Sequence, residues 1–321
     1  MSTPAVSVLL TTYNREAFLA AAIESVLGQT FTDFELLIVD DRSTDRSLEI
    51  ARVYERLDTR IRVVANEENL GQFRNRNRAA ELARAPLLKY HDSDDLMYPH
   101  CLAVMVSMLE AEPRAGFGLS SGSRWSGGPC PMLLTPRMAY QREFFGEGLF
   151  FCGPAGALFR SEVFRALGGF ADEGVASDHL FWMRACKTSN VLLMPADLFW
   201  YRLHPAQEFQ SAKGQQEYAR VPGLVWRALQ EPDCPLMPEE RQQAKRNRAY
   251  HLARRTVEDL RRGRFAFAWN RLRYSGMGPV DWLRYLRWPR RNAFAGTPLD
   301  ADGEFHIPAW ARPRGGSAGS A

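Results

Sequence analysis

The sequence predicts an α/β fold, a Rossmann-like mixed sheet flanked by helices, with an α-helical extension at the C-terminus. Strand and helix patterns alternate over the first hundred residues, as in a parallel, doubly wound sheet. Short apolar runs end in polar loops, which is where open α/β sheets bind their ligands. Residues 217–292 have the apolar spacing of helices, which predicts the extension.

The elements follow in order from these patterns. Compact apolar runs predict strands at residues 6–10, 34–39, 61–64 and 87–90. Helical spacing predicts helices at residues 15–27, 48–54 and 72–82, the second capped by residues 43–45. In the middle, residues 116–136 indicate a strand and an excursion, and residues 152–159 a further strand. Helices at 161–167 and 178–186, then strands at 191–194 and 199–203, complete this part.

The composition favours a globular protein in a reducing compartment. Of 321 residues, 45% are hydrophobic and 24% are charged, so the chain can bury a large core. The five cysteines are far apart and form no C-x-x-C pair, which predicts a cytoplasmic setting without a structural zinc site. We find no signal-peptide pattern and no apolar run of about 20 residues, and therefore expect neither export nor a membrane span.

The most informative segment is an acidic cluster at residues 92–95, after the predicted strand at 87–90. Asp92, Asp94 and Asp95 place three carboxylates within four residues. Because adjacent carboxylates repel one another, such a cluster favours a divalent metal or basic partners. The alternative is a solvated turn, since Asp and Ser are also common turn and helix-cap residues.

Two other polar loops follow predicted strands. Residues 11–15 offer backbone N–H groups and the ring of Tyr13, which suit an anion and a nucleobase. Asp40 follows the second strand, where an acidic side chain can accept hydrogen bonds from a base or a ribose. Ordinary capping loops are the alternative for both.

These loops and four further segments resemble the motifs of the family 2 glycosyltransferases, which have the GT-A fold. The further segments are Asn69-Leu70-Gly71 with Arg76-Asn77, residues 152–160 with Gly168-Gly169-Phe170, Asp178-His179-Leu180 with Arg184, and Tyr201-Arg202-Leu203-His204. The resemblance covers roughly residues 5–210. It implies a GT-A catalytic domain at 1–215, with a nucleotide-binding half at 1–98 and an acceptor half at 99–215. A basic helical region at 216–292 and a disordered tail at 293–321 would follow.

The resemblance implies a role for each matching residue. Asp178 would be the general base. Asp94 would bind Mg²⁺ or Mn²⁺ directly, Asp92 would lie nearer the ribose as well as the metal, and Asp95 would be a ligand or lie behind one. His204 would complete the ligands or contact the diphosphate. The other donor-binding residues would be Thr11, Tyr13 and Asp40 at the nucleobase, Arg76 at base or phosphate, and Arg15, Asp41 and Ser93. The acceptor side would contain Gly153, Gly156, Trp182 and Arg184.

Sugar transfer requires groups of this kind. A nucleoside diphosphate leaves readily only when its charge is neutralised, as a divalent ion held by carboxylates would do. The acceptor hydroxyl needs a base near the anomeric carbon, and a base opposite the leaving group implies inversion of configuration.

Three positions depart from the family pattern. Ser177 stands where an acidic residue usually precedes the base, Arg42 where the family generally has Gly, and Ala79 where it often has a second Gly. Structural alternatives stay open for two residues: a helix cap for Asp178 and a partly buried histidine for His204.

We therefore expect an inverting, metal-dependent glycosyltransferase that uses a nucleotide-sugar donor. A UDP-sugar is favoured, with dTDP and GDP open, and the expected acceptor is a saccharide or a lipid-linked cell-envelope molecule. One alternative is a binding module that has lost catalysis. A sugar nucleotidyltransferase is disfavoured, because no glycine-rich loop with a lysine follows the first strand.

The net charge of +4 conceals a basic C-terminal region. Residues 241–295 contain 15 Lys and Arg against three Asp and Glu. Arginine and aromatic residues on amphipathic helices fit an anionic membrane surface, here through residues 241–292 at the inner face of the plasma membrane. An equal alternative is a helical hairpin that packs its aromatic side chains on the catalytic domain. We expect no nucleic-acid partner, since no known nucleic-acid motif accompanies the charge.

Overall fold

The computed structural model describes residues 3–120, 130–146, 148–150, 152–172, 174–204, 220–286 and 304–305, with residues 207, 211, 214, 217 and 218. Its first half alternates strands and helices as predicted. The strands are β1 (Val6–Thr12), β2 (Phe34–Asp40), β3 (Ile61–Ala65) and β4 (Leu87–Asp92). The helices are α1 (Leu19–Leu27), α2 (Ser47–Leu57) and α3 (Gln72–Leu82).

The middle of the chain adds shorter elements. Its strands are β5 (Leu96–Met97), β6 (Ala115–Leu119), β7 (Met132–Leu134), β8 (Ala157–Arg160), β9 (Asn190–Leu193) and β10 (Phe199–Trp200). Its helices are α4 (Cys101–Ala111), α5 (Pro136–Phe145), α6 (Ser161–Ala166) and α7 (Ser177–Thr188). Most of the excursion predicted at residues 116–136 lies outside the described residues.

The C-terminal region is helical, as predicted. It consists of α8 (Val221–Ala228), α9 (Pro238–Arg261), α10 (Phe265–Tyr274) and α11 (Pro279–Leu286). Of the tail expected to be disordered, the described part is the strand β11 (Glu304–Phe305), and the rest lies outside the described residues. None of the described helices is long and apolar enough to cross a bilayer.

Nine of the eleven described strands form one mixed sheet in the order β11-β7-β9-β6-β8-β4-β1-β2-β3. Strands β3, β2, β1 and β4 are parallel, whereas β8 is antiparallel to both β4 and β6. This confirms the predicted Rossmann-like mixed sheet. The strand predicted at residues 199–203 is shorter, and it pairs with β5 in a separate two-stranded sheet.

Helices cover both faces of the main sheet. Successive residues of β1 alternate between two buried clusters: Leu9 packs in one, and Val8 and Leu10 pack in the other. The period of two explains why β1 and β2 read as continuous apolar runs, since both of their faces are buried. The polar residues at the strand ends are thereby held on a rigid base.

Two elements begin later than predicted. Helix α1 starts at Leu19 rather than residue 15, and the N–H groups of Arg15 and Glu16 before it donate to the side chains of Ser47 and Asp45. In the predicted strand at 152–159, Pro154–Gly156 form a 3₁₀ turn, and β8 follows it. Proline has no N–H for a sheet ladder, which is consistent with a turn there.

Candidate active site at the carboxyl edge of the sheet

Three parallel strands end side by side at the candidate site. In the register of the sheet, Thr12 of β1 lies beside Asp40 of β2, and Thr11 lies beside Asp92 of β4. The carboxyl ends of neighbouring parallel strands share one edge of a sheet. The acidic cluster and the two other polar loops therefore come together, as the sequence predicted.

The loops after β1 and β2 are fastened to each other. The N–H of Asn14 donates to Ser43 Oγ at 2.9 Å, and the N–H of Arg15 donates to Ser47 Oγ at 2.8 Å. Asp45, predicted to cap α2, accepts a hydrogen bond from Ser47 N at 2.9 Å. Arg42 has a φ of 63°, which explains a preference for Gly at this position.

Two buried polar atoms at this edge have no hydrogen-bond partner. Asp40 Oδ1 accepts a hydrogen bond from Ser43 N at 2.9 Å, but Asp40 Oδ2 and Thr12 Oγ1 are buried and unpaired. Leaving a buried polar group without a hydrogen bond costs about 1–3 kcal/mol, so these two atoms mark a place where a ligand can bind. Thr11, and not Thr12, is the predicted nucleobase residue, because the apolar run that predicts β1 ends at residue 10 and the strand continues to Thr12. Thr11 is half-buried, and the Tyr13 side chain is exposed.

Asp41 accepts three hydrogen bonds from the segment before α3. Its Oδ1 accepts hydrogen bonds from Asn66 Nδ2 and Leu70 N, and its Oδ2 accepts one from Gly71 N, all between 2.8 and 2.9 Å. The buried carboxylate therefore holds the loop before α3. The structure thus gives Asp41 a positioning role, and its predicted nucleotide contact stays a prediction.

Arg76 and Asp92 form an ion pair in the floor of the site. Arg76 Nη2 donates to Asp92 Oδ1 at 2.5 Å. Burial would raise the pKa of Asp92, but the guanidinium of Arg76 holds that pKa below its ordinary value. The Nε and Nη1 atoms of Arg76 are buried without a partner, so this side chain has donors left for a further anion.

Asp94 lies between the side chains of Arg15 and His204. Arg15 Nε and His204 Nε2 are each 3.0 Å from Asp94 Oδ2. The His204 ring also packs on Phe18, with 4.7 Å between ring centroids. Asp94 and His204, which the sequence assigned to one metal site, are thus in direct contact.

Asp95 closes the turn of the acidic cluster. Its N–H donates to Asp92 O at 3.2 Å, which confirms the turn, and Ser93 is buried within it. Asp95 Oδ1 accepts a hydrogen bond from Arg202 N at 2.9 Å, and Oδ2 is buried without a partner. Burial and the charge of Asp92 raise the pKa of Asp95 to about 8.

Arg202 connects the segment at residues 201–204 to the acidic cluster. Its Nε donates to Asp94 O at 2.8 Å, and its guanidinium lies 5.1 Å from the ring of Phe18 and 4.8 Å from that of Trp200. Arg202 belongs to the motif Tyr201-Arg202-Leu203-His204 and has no predicted role of its own. The motif alone could not show that its backbone and side chain both hold the cluster.

Asp178 lies in the first turn of α7 but does not cap it. The residue before the helix is Ala176, and Asp178 Oδ1 accepts a hydrogen bond from His179 N at 2.6 Å. Burial raises the pKa of Asp178 to about 6; the charge of Asp92 acts in the same direction, and Arg76 opposes it. Ser177 is buried, and its hydroxyl donates to Gly174 O at 2.7 Å.

The residues predicted on the acceptor side divide into two groups. Gly153 is open, with nothing within 4 Å of where a Cβ would be, whereas a Cβ on Gly156 would lie 2.5 Å from Ser120 O. Trp182 is fully buried, and its Nε1 donates to Cys152 O at 2.7 Å. Trp182 therefore cannot touch an acceptor from this position, and we correct its role to one of positioning the Cys152–Gly153 segment.

Arg184 also supports the fold around the site. Its Nη2 donates to the carbonyl of Gly169 at 2.5 Å, in the glycine turn after α6. Asn77 bonds the same turn, through Nδ2 to Phe170 O at 2.8 Å and through Oδ1 from Phe170 N at 2.9 Å. The Nε atom of Arg184 is buried without a hydrogen-bond partner, so the predicted acceptor contact stays a prediction beside this structural role.

Comparison with known proteins shows the family to which the chain belongs. The family model described as "Glycosyl transferase family 2" matches residues 7–168. A Bacillus subtilis protein named as a teichuronic acid biosynthesis glycosyltransferase, TuaG, is 42% identical over 92 residues, which are 29% of this chain and 36% of TuaG. Three further curated glycosyltransferases, at 30% to 40% identity, are also covered over less than two thirds of their length.

Solved structures of GT-A enzymes share the fold. TarS 1–349 of S. aureus, in complex with UDP-GlcNAc, superposes with a TM-score of 0.58 at 22% identity, covering 77% of this chain and 72% of TarS. The mannosyltransferase PcManGT of Pyrobaculum calidifontis, in complex with GDP-Man and Mn²⁺, has a TM-score of 0.57 at 18% identity, covering 89% and 86%. With the family match over half of the sequence, these findings show that the chain belongs to glycosyltransferase family 2 and has the GT-A fold.

Proposed function

We propose that this glycosyltransferase transfers a sugar from a nucleotide-diphosphate donor, a UDP-sugar in the first instance, with inversion at the anomeric carbon. The observation that carries the proposal is the set of unpaired buried atoms at the carboxyl edge, on Thr12, Asp40, Arg76 and Asp95. Buried polar atoms are nearly always paired in folded proteins. Four such residues around one edge are what a polar ligand would satisfy.

The donor would lie across the ends of β1, β2 and β4. Asp40 Oδ2 and Thr12 Oγ1 suit the N–H and carbonyl groups of a nucleobase, and the exposed Tyr13 ring suits its face. The unpaired donors of Arg76 suit a phosphate. Complexes of TarS with UDP-GlcNAc and of PcManGT with GDP-Man support a nucleotide-sugar donor but favour no one base.

Asp94 and His204 fit a divalent ion, Mg²⁺ or Mn²⁺. Their atoms Oδ2 and Nε2 are 3.0 Å apart, and adjacent ligands of an octahedral ion with bonds of about 2.1 Å lie about 3 Å apart. Within the described part of the chain, no three His, Cys, Asp or Glu side chains form a metal site by themselves. Magnesium commonly takes one or two carboxylates and completes its shell with water and phosphates. When bound, the ion would neutralise charge on the leaving diphosphate.

Asp178 is proposed as the general base. Its pKa of about 6 leaves it mainly ionised at neutral pH and closer to the pH of catalysis than an ordinary Asp. The electrostatic influence of Asp92 and Arg76 on Asp178 supports its place in the same site. A base that takes the proton of the acceptor hydroxyl, opposite the diphosphate, would lead to inversion.

The proposed acceptor is a saccharide or a lipid-linked cell-envelope molecule, bound near the open Gly153. The name of TuaG, with its teichuronic acid, supports a polysaccharide. We propose a cytoplasmic location, with the basic helical region at 241–292 on the inner face of the plasma membrane.

The test is a panel of UDP-, dTDP- and GDP-sugars with Mg²⁺ or Mn²⁺, scored as nucleoside diphosphate release and as binding by calorimetry. We expect one donor class to bind and turn over with metal, and the Asp94→Ala variant to lose metal-dependent binding. Glu110→Ala, which removes an exposed carboxylate from α4, is the control and should retain metal-dependent binding. Equal donor binding by Asp94→Ala and wild type would contradict the metal assignment.

A further inference from the structure

Helix α10 presents an apolar face to solvent. Phe265 and Trp269 are 67% and 64% exposed, and Leu272 on the same side is also exposed. Their spacing of four and three residues places all three on one face of the helix. Ala268 is buried on the side that faces the protein. We call Phe265, Trp269 and Leu272 the α10 face.

Helix α9 is different, although it belongs to the same basic region. Its apolar residues Ala249, Leu252 and Ala253 are buried, and two of them pack with Trp226 of α8. This packing lies within the basic helical region at 216–292, so the expected packing of aromatic side chains on the catalytic domain stays a prediction. The rings of Phe265 and Trp269 lie outside this packing.

The charge around the α10 face is one-sided. Between residues 260 and 280 the sequence has five Arg and neither Asp nor Glu. The carboxylate of Asp259, just before this segment, already pairs with both Arg264 at 2.6 Å and Arg271 at 2.7 Å. Arg261 and Arg273 are exposed at the two ends of the segment, so the surface keeps a positive surplus.

Helix α11 extends the same chemistry. Val280 and Leu283 are exposed and three residues apart, hence on one side of that helix. Apolar and aromatic side chains bordered by arginine are the composition of segments that lie in a bilayer interface, with rings at the headgroup level and guanidinium groups at lipid phosphates. Charge complementarity thus favours an anionic lipid surface over a second copy of this basic chain.

We propose that the α10 face docks on an anionic lipid bilayer. The inference rests on the peripheral location under the proposed function and narrows it from residues 241–292 to one helix face. Docking would leave α9 as the rigid support between the bilayer and the catalytic domain.

Cosedimentation with phosphatidylcholine vesicles, with and without phosphatidylglycerol, tests the proposal. The wild-type protein should sediment with the anionic vesicles, less so with rising NaCl, and much less with phosphatidylcholine alone. The double variant Phe265→Ser/Trp269→Ser should bind the anionic vesicles at least about tenfold more weakly than wild type, since the anchoring rings are gone. Leu57→Ser, which removes a leucine of α2 that is more exposed than any residue of the α10 face, should bind like wild type.

The same samples separate this inference from the enzymatic one. Donor turnover without vesicles should be unchanged in the double variant, because these residues lie outside the donor site. If no protein turned over any donor, the proposed function would fail while the vesicle result still stood. Wild-type protein that ignores anionic vesicles, or a double variant that binds like wild type, would overturn the docking proposal. The docking proposal would also be overturned if the wild-type protein were a dimer, the double variant a monomer, and neither bound vesicles. The α10 face would then be assigned to contact with a second copy of the chain.

Discussion

Replacing Asp178 by Asn should abolish sugar transfer and leave donor binding intact. The amide oxygen of Asn can still accept the 2.6 Å hydrogen bond from His179 N, so the start of α7 should keep its geometry. The substitution removes the ionisable group and little else. Loss of a positioned general base lowers a rate by about 10²–10⁴, which corresponds to about 3–5 kcal/mol in the activation barrier.

The pH dependence of the wild-type enzyme gives a second, independent test of Asp178 as the base. The base works only when ionised, and burial raises the pKa of Asp178 from 3.8 to about 6. Activity should therefore fall as the pH falls through 6, with about a tenth remaining at pH 5. An Asp with an ordinary pKa would be almost fully ionised at pH 5. The profile of kcat/KM reports this group in the free enzyme.

The assay is nucleoside diphosphate release at saturating acceptor, with donor affinity measured by calorimetry in parallel. Asp172→Asn is the matched control, because Asp172 is exposed in the segment just before α7 and should tolerate the change with full activity. Near-normal transfer by Asp178→Asn, or a wild-type acid limb near pH 4, would refute the assignment of the base.

Two backbone positions give further predictions. Gly156→Ala should lower the free energy of unfolding by about 2 kcal/mol or more, because its Cβ would lie 2.5 Å from Ser120 O. Gly153→Ala should leave the free energy of unfolding nearly unchanged in the same urea titration. Equal stability of the two variants would count against the close approach at residue 156. Arg42→Gly should raise the free energy of unfolding by about 1 kcal/mol, since a φ of 63° strains a residue with a Cβ; a lower melting temperature than wild type would contradict this.

The strand ends could be predicted because apolar runs mark where buried strands stop and polar loops start. The resemblance to the family motifs then predicted that Asp94 and His204, which are 110 residues apart in the sequence, lie in one site. The sequence could not separate residues that touch a ligand from those that hold its neighbours. Asp40 and Asp41 are adjacent and identical in type, yet one carboxylate has an unpaired buried oxygen and the other accepts three hydrogen bonds.

Trp182 illustrates the same limit. A tryptophan within a family motif is compatible with an acceptor platform or with the core, and only the packing distinguishes them. Here its ring stacks on Phe159, with 5.5 Å between centroids, and its N–H is used by Cys152 O. Because α7 carries both Asp178 and Trp182, burial of the tryptophan holds the helix that presents the proposed base.

The carboxylates themselves favour catalysis over a binding module that has lost it. Asp41, a structural carboxylate at the same edge, is stabilised by three donors, whereas the described contacts of Asp178 give it one, from the neighbouring His179 N. Burial with so little compensation raises the pKa of Asp178 to about 6, while Arg76 holds the pKa of Asp92 low. Environments that push the pKa values of nearby carboxyl groups apart are characteristic of acid–base sites. A module that only bound nucleotide would have no use for an under-solvated carboxyl group at the start of α7, and exchange of Asp178 for Asn would remove it without loss of the hydrogen bond.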